Sequence, residues 1–242
     1  MNYNDVLEEI RENPELVFHY LRSPEIDFKV MALDAVLYLS ADGGEELLAI
    51  LSDLFAVIGV EIIPSLEEDD TPESRGALLH FLRGIAALAE RLDNKNRLLV
   101  LQKPIFELLD SPDVGVRAGA ILALGAMSRH NPGELRENAE SGLVAALSDD
   151  EGEIRRAAAY AWGEIALTSP KTTDDAVPRV GRLLEDDNPA VRAEAAGFFY
   201  SLAEMMPDWC RGYLPELRQL RDDDPDEEVQ RRAGAAVRNI IK

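Results

Sequence analysis

The sequence predicts an all-α protein in which pairs of helices repeat along the chain. Ala, Leu, Glu and Arg, which are good helix formers, dominate its 242 residues. Alternating β-branched runs bounded by Asn-Gly or Asp-Gly, which are typical of hairpins, do not occur. A third observation is an internal pattern that recurs along nearly the whole chain, and such a period is typical of repeat architectures.

Each copy of the pattern has an apolar stretch, a short acidic turn that often contains proline, an apolar-basic pair, and small residues three positions apart. A clear copy runs from Ile105 through Val116-Arg117 to Gly125. The basic or amide position of the copies lies at Lys29, Arg75, Arg117, Arg155, Arg192 and Gln230. These positions are widely spaced in the early copies and almost evenly spaced from Arg117 onwards. Apolar and small residues at i, i+4 and i+7 after the turn predict a helix with one buried face.

One helix pair cannot bury its apolar face alone, whereas stacked pairs share a continuous core. The sequence therefore predicts one domain over residues 1–242. Its approximate repeats are 1–42, 43–92, 93–131, 132–170, 171–208 and 209–242. The apolar segment 45–66 departs from the common spacing, and Pro64 is expected to kink a long first helix there.

The repeat resembles a known family. A proline in the first helix, Asp in the turn, and Val-Arg followed by Ala-x-x-Ala-Leu-Gly in the second helix resemble HEAT repeats over roughly residues 14–242. The resemblance implies a right-handed α-α superhelix, or solenoid, of five to six HEAT-like helix pairs. It also implies a structural ladder of hydrogen bonds between units, here Asp110 with Arg117, Asp150 with Arg155, and Asp187 with Arg192. Gln230 departs from this pattern, and a last repeat with nothing stacked beyond it needs the charge less.

The charge balance limits the classes of partner. The chain has 25 basic and 46 acidic residues, which gives a formal charge of −21, so nucleic acid and anionic membranes would be repelled. The N-terminal residues lack the pattern of a secretory signal, and no uncharged apolar run approaches the roughly 20 residues of a membrane helix. We therefore expect a cytoplasmic protein that binds another protein, without nucleic acid or membrane, as a monomer or weak dimer.

Arginine outnumbers lysine 20 to 5 alongside the excess of acid. This composition resembles that of proteins from salt-loving prokaryotes, in which hydrated carboxylates maintain solubility. The halophilic interpretation is favoured because the acidic residues are scattered along the chain. The alternative is an acidic face that docks a basic partner.

The sequence offers little for catalysis. Its histidines are His19, His80 and His130, and none belongs to a His-Glu pair, so the iron-binding signature of deoxyhypusine hydroxylase, a HEAT-like enzyme, is missing. Metalloprotease, phosphate-loop and hydrolase motifs are missing as well. The single cysteine, Cys210, excludes an internal disulfide and is expected to be structural. We predict no catalytic residue, no metal site and no cofactor.

The resemblance implies that the second helices line a concave surface. Five positions after successive arginines lie His80, Leu122, Tyr160 and Gly197, and nine positions after them lie Gly84, Ala126, Glu164 and Ser201. These rows predict a shallow trough for an extended segment or helix of another protein, although the same residues are also suited to packing on neighbouring helices.

The sequence therefore predicts a non-catalytic scaffold or adaptor that contacts its partner through His80, Leu122, Tyr160 and Glu164. The alternative function is a HEAT-like alkylpurine DNA glycosylase or another DNA-binding repair protein. Tyr160 and Trp162 would supply aromatic groups for such an enzyme. The charge of −21, and the expected lack of a basic stripe in the third, fifth and sixth units, disfavour it.

Overall fold

The computed structural model describes residues 2–42, 45–91, 95–129 and 140–242, and their regular secondary structure is helical throughout. The described chain forms two compact units, Met1–Ala123 and Leu124–Lys242. His130 and the predicted repeat boundaries at 42/43, 92/93 and 131/132 fall on positions outside the described residues. The organisation of the chain as one domain with six repeats stays a prediction.

The helices of the first unit differ widely in length. They are α1 (Tyr3–Glu12), α2 (Leu16–Leu21), α3 (Ile26–Asp42), α4 (Glu45–Val57), α5 (Ile63–Asp69), α6 (Pro72–Arg91), α7 (Gln102–Glu107) and α8 (Val114–Ser128), the last of which continues into the second unit. Helix α1 begins with a capping box, because the Asn2 side chain accepts the Asp5 N–H and the Asp5 carboxylate accepts the Asn2 N–H.

The apolar segment 45–66 spans α4 and the start of α5, and its helix is irregular close to Pro64, where a kink is expected. A π-helical turn, Ile58–Ile62, precedes Pro64, which lies in the first turn of α5. The Ile63 N–H bonds the Ile58 carbonyl, five residues back. A Cβ on Gly59 would lie 2.9 Å from Pro104 Cγ, so glycine permits this close approach.

The same segment has a length and composition that suit a membrane helix. Ala49–Asp69 has a mean hydropathy of 1.9, and 44% of its most apolar window is buried inside the protein. Asp53 and Glu61 interrupt the run, which is why the sequence shows no uncharged stretch of that length. Because Phe55 and Ile58 are fully buried, this helix forms part of the core of the first unit. Core helices can have the same length and apolar composition as membrane helices.

The second unit repeats a regular arrangement of a first helix, an acidic turn and a longer second helix. Its further helices are α9 (Glu140–Ala146), α10 (Gly152–Thr168), α11 (Val177–Arg182), α12 (Pro189–Ala203), α13 (Pro207–Cys210), α14 (Leu214–Asp223) and α15 (Glu227–Ile240). The last residues of two of these turns cap the helices that follow, whereas Glu151 before α10 makes no side-chain capping bond. The Asn188 side chain accepts the Ala190 N–H at 2.9 Å, and Asp226 accepts the N–H groups of Glu228 and Val229.

The core of the second unit uses small residues at helix crossings and aromatic residues between them. A Cβ on Gly125 would lie 2.6 Å from Ala161 Cβ, so the end of α8 contacts α10 at close range. Trp162, Phe198 and Phe199 are each at most 1% exposed and therefore belong to the core. The Trp162 indole donates its N–H to the Leu143 carbonyl at 3.2 Å.

Candidate functional site

Arginines at the predicted repeat position hold the turns of the second unit together. Arg155 donates through Nη1 to the carbonyls of Asp149 and Asp150, at 2.8 and 2.9 Å, and these carbonyls belong to its own turn. Its Nε and Nη2 atoms bond both carboxylate oxygens of Asp186, at 2.7 and 3.0 Å. One guanidinium therefore joins its own turn to the turn of the next repeat with bidentate geometry.

Arg192 repeats this arrangement one unit later. Its Nη1 donates to the Asp186 and Asp187 carbonyls at 2.8 and 3.2 Å, and its Nε and Nη2 bond the Asp224 carboxylate at 2.7 and 2.9 Å. Hydrogen bonding to Arg192 lowers the pKa of Asp224 below its usual value. Burial is the largest single influence on Asp186 and would raise its pKa. The hydrogen bonds from Arg155 and from the Asn188 N–H, together with the charges of Arg155 and Arg192, outweigh it, and the pKa is lowered.

The pairing implied by the resemblance needs correction. Asp150 and Asp187 contribute backbone carbonyls to Arg155 and Arg192, whereas the carboxylates come from the following turns. Asp110 is exposed, and within the described ranges Arg117 bonds the carbonyls of Ser111 and Pro112 instead. The physical reason is that the arginine side chain is long enough to pass its own turn and reach the next one, where a buried carboxylate accepts two hydrogen bonds.

Gln230 occupies the same position in the last copy. It makes the hydrogen bond to a carbonyl of its own turn. Its Nε2 donates to the Asp224 carbonyl at 2.7 Å, six residues back, as Arg155 and Arg192 do in their own turns. An amide provides this bond without a charge.

A groove of about 630 Å³ lies along the second helices of the second unit. It is bounded by α10, α12 and α15, and small residues such as Gly163, Gly197 and Ala235 line it. Tyr160 and Tyr200, each 40% exposed, also line the groove, and each can offer a ring face as well as a hydroxyl group. The groove therefore presents apolar and polar groups side by side on one surface.

The predicted contact residues divide between the two units. Tyr160 and Glu164 line the groove of the second unit, together with Gly197 and Ser201 from the same predicted rows. His80 lines a cavity of about 440 Å³ in the first unit, where its Nε2 pairs with the Asp34 carboxylate. Leu122 is partly buried on α8 and lines neither cavity.

The sequence prediction missed the cations on α15 and just beyond it. Arg231, Arg232, Arg238 and Lys242 line one side of the groove, so the expectation that the sixth unit has no basic stripe was wrong. A signal was present in the sequence, because Arg231 and Arg238 are seven residues apart and therefore lie on one face of the helix.

Ion pairs order several charged side chains of the groove. Arg129 Nη1 lies 3.0 Å from Glu164 Oε2, and Arg232 Nη1 lies 2.6 Å from Glu194 Oε2. Arg231 and Arg232 both bond Glu228, and these hydrogen bonds lower the pKa of Glu228 to about 2. Glu228 therefore stays ionised and paired at neutral pH.

The described residues provide little for nucleophilic or metal chemistry. Within the described ranges, His, Cys, Asp and Glu form no group of three or more that suits a metal ion. Cys210 is fully buried, and burial raises the pKa of its thiol to about 12, so the reactive thiolate is not formed at neutral pH. His19 is partly exposed and contacts the edge of the Tyr20 ring.

Comparisons with known proteins agree with the repeat architecture. Residues 140–238 match the family model described as HEAT repeats. The search of curated proteins finds no match.

Solved structures similar to this chain are repeat proteins and engineered proteins. A designed armadillo repeat protein in complex with the peptide (KR)4 shares 25% identity, covering 94% of this chain and 98% of that chain, with a TM-score of 0.66. An engineered protein shares 21% identity over 99% of both chains, with a TM-score of 0.68. Computationally designed armadillo repeat proteins for modular peptide recognition share 24% identity over 93% of this chain and 98% of that chain, with a TM-score of 0.60.

The similarities to solved structures extend over nearly the whole chain. The predicted all-α solenoid class is confirmed. The chain has the fold of a helical repeat protein, and its residues 140–238 are similar to HEAT repeats.

Proposed function

We propose that this protein is a non-catalytic scaffold or adaptor that holds an extended segment of another protein in the groove between α10, α12 and α15. The observation that carries the proposal is the groove itself, because it combines small residues, two half-exposed tyrosines and several charged groups on one surface. Two of the structural neighbours are described by peptide binding or peptide recognition, which supports the same use of this fold.

The contacts within the groove suit an extended backbone. Gly163 and Gly197 carry no side chain, so a ligand backbone can approach α10 and α12 closely. Ion pairs already restrict Glu164 and Arg232, each of which is held by a charge from another helix or turn. Side chains ordered before binding lose less conformational entropy when the ligand arrives.

The remaining sequence predictions extend this proposal. His80 and Leu122 stay predicted contacts of the first unit, and the cavity around His80 and Asp34 is a smaller candidate surface there. A cytoplasmic location, salt adaptation of the acidic surface, and a monomeric or weakly dimeric state stay predictions from composition.

The proposal is tested by selecting binders from random peptides displayed on phage and measuring them with the Tyr160→Ala/Tyr200→Ala double variant. Both tyrosines are half-exposed, so their removal is expected to leave the fold intact and to weaken selected peptides by about tenfold or more. Met205→Ala is the control, since Met205 is 57% exposed in the second unit and does not line the groove. Circular dichroism checks the helical content of each variant.

Two results would contradict the proposal. Selected peptides that bind the double variant as tightly as the parent protein would exclude the groove as their site. Release of alkylated bases from DNA by the purified protein would instead support the glycosylase alternative.

A further inference from the structure

The groove differs in charge from the rest of the protein. The chain carries a formal charge of −21, yet four cationic side chains line the α15 side of the groove. The acids that line it are Glu164 and Glu194. The groove therefore has more positive than negative groups, on an otherwise acidic protein.

The acidic groups of the groove are already neutralised by arginines. Glu164 is 16% exposed and pairs with Arg129, and Glu194 is 13% exposed and pairs with Arg232. Glu228 holds Arg231 and also contacts Arg232. Each of these pairs leaves little net charge for a ligand.

Arg238 and Lys242 differ from the paired arginines of the groove in their contacts. Both side chains are exposed, and neither forms an ion pair with a carboxylate in the part of the chain that the structure describes. Lys242 Nζ bonds the neutral amide oxygen of Asn239 at 2.7 Å. The uncompensated charge that faces the groove is therefore positive.

From this charge, and resting on the proposed function, we infer that the segment bound in the groove is acidic. Its carboxylates bind Arg238 and Lys242, while an apolar side chain packs on Tyr160 and Tyr200. The sign is opposite to that of the (KR)4 peptide bound by the designed armadillo relative.

A short acidic peptide suits this groove better than a nucleic acid. At 0.15 M salt the Debye length is about 8 Å, so a short peptide responds mainly to Arg238 and Lys242 beside it. A nucleic acid long enough to leave the groove meets a surface with 46 acidic and 25 basic residues. Electrostatic repulsion then opposes binding along its whole length.

The inference is tested with four fluorescent probes of similar length: the octapeptides (EL)4, (KL)4 and (SL)4, and single-stranded (dT)8. Binding to the intact protein is measured by fluorescence anisotropy in 0.15 M NaCl. We expect (EL)4 to bind about tenfold more tightly than (KL)4, with (SL)4 between them. The variant Arg238→Glu/Lys242→Glu is expected to weaken (EL)4 by about tenfold and to strengthen (KL)4.

The control variant is Arg211→Glu/Arg218→Glu, which changes the net charge by the same amount at exposed positions that do not line this groove. Its expected effect on (EL)4 is less than about twofold. An equal loss in both variants would show that overall charge, and not the groove, selects the peptide, which would overturn the inference.

The remaining outcomes separate this inference from the proposed function. Binding of (KL)4 as tight as that of (EL)4, with both lost in Tyr160→Ala/Tyr200→Ala, overturns the acidic preference and leaves the groove as a peptide site. Binding of (dT)8 tighter than that of (EL)4 overturns the inference in favour of nucleic acid. Failure of every peptide to bind, or binding unaffected by the tyrosine variant, overturns both.

Discussion

The same repeat position has different partners in the two units of the molecule. In the second unit, Arg155 and Arg192 reach carboxylates of the next turn whose side chains are only 7% and 3% exposed. In the first unit, Arg75 Nη1 lies 2.6 Å from a carboxylate oxygen of Asp70, a residue of its own turn that is 62% exposed. The Nε atom of Arg75 lies 3.6 Å from Asp113 of the next turn, so this contact is a loose ion pair.

The difference follows the length of the repeat. The chain between arginine and carboxylate is almost equally long for Arg155 with Asp186 and for Arg192 with Asp224, and it is longer between Arg75 and Asp113. The turn before α6 also has an unusual shape, because Asp70 has φ of 45°, in the left-handed region. Repeats of regular length thus give a bidentate ion pair with a buried carboxylate. The longer repeat with a distorted turn gives an ion pair with an exposed carboxylate.

The largest expected effect on stability comes from replacing Arg192 with glutamine, the residue that occupies the same repeat position at Gln230. Arg192→Gln can keep the bond to its own turn but leaves the buried Asp224 carboxylate without its cation. We expect a loss of about 3 kcal/mol in the free energy of unfolding, measured by urea denaturation and circular dichroism. Arg75→Gln is the matched variant of the first unit and is expected to cost less than about 1 kcal/mol. Equal costs would show that burial of the carboxylate does not distinguish the two units.

A second expected effect concerns glycines of the two units. Gly125→Ala places a Cβ 2.6 Å from Ala161 Cβ and 2.8 Å from its Cα, so a helix must move, and we expect a loss of about 2 kcal/mol. Gly76, exposed on α6, has no atom within 4 Å of an added Cβ, and Gly76→Ala is expected to gain about 0.5–1 kcal/mol through helix propensity. Thermal unfolding monitored at 222 nm distinguishes the signs, and a stabilised Gly125→Ala would contradict the close crossing of α8 and α10.

A smaller effect is expected from acid. Because Arg192 lowers the pKa of Asp224 in the folded protein, the pair contributes its full stability above the ordinary carboxyl pKa of 3.8. That contribution is lost as pH falls through the lower folded pKa. The stability difference between the parent protein and Asp224→Asn should therefore shrink as urea unfolding is repeated from pH 6 towards pH 2.5. A difference that stays constant over this range would show that the Asp224 charge is not involved.

The sequence predicted the helices of the second unit well because its repeats keep a nearly constant period. Counting from Arg155 identified Tyr160 and Glu164, and both lie in the groove. The carboxylate partners were missed because a sequence shows which residue occupies a turn but not how far an arginine side chain extends across the stack. Asp186 and Asp187 are adjacent acids, and only packing decides that the Asp186 carboxylate receives the arginine.

The basic side of the groove was missed for a different reason. Net charge averages over the molecule, whereas the charge of a site depends on which few side chains share a helix face. Arg231 and Arg238 lie seven residues apart on α15 and face the groove, even though the surrounding sequence is acidic. The same count of five residues from Gln230 reaches Ala235, which also lines the groove.

Asp186 and Asp224 each perform two roles at once. Each carboxylate accepts an N–H of its own turn, from Asn188 or Asp226 at 2.9 Å, while it binds the arginine of the preceding repeat. Each such joint between successive turns consists of an arginine and a carboxylate that lie a little less than one repeat apart in the chain. Tandem duplication of residues 155–191 would supply both halves of the added joint from the copied segment itself. Gene duplication can therefore lengthen this part of the array while keeping the hydrogen-bonded joint between successive turns.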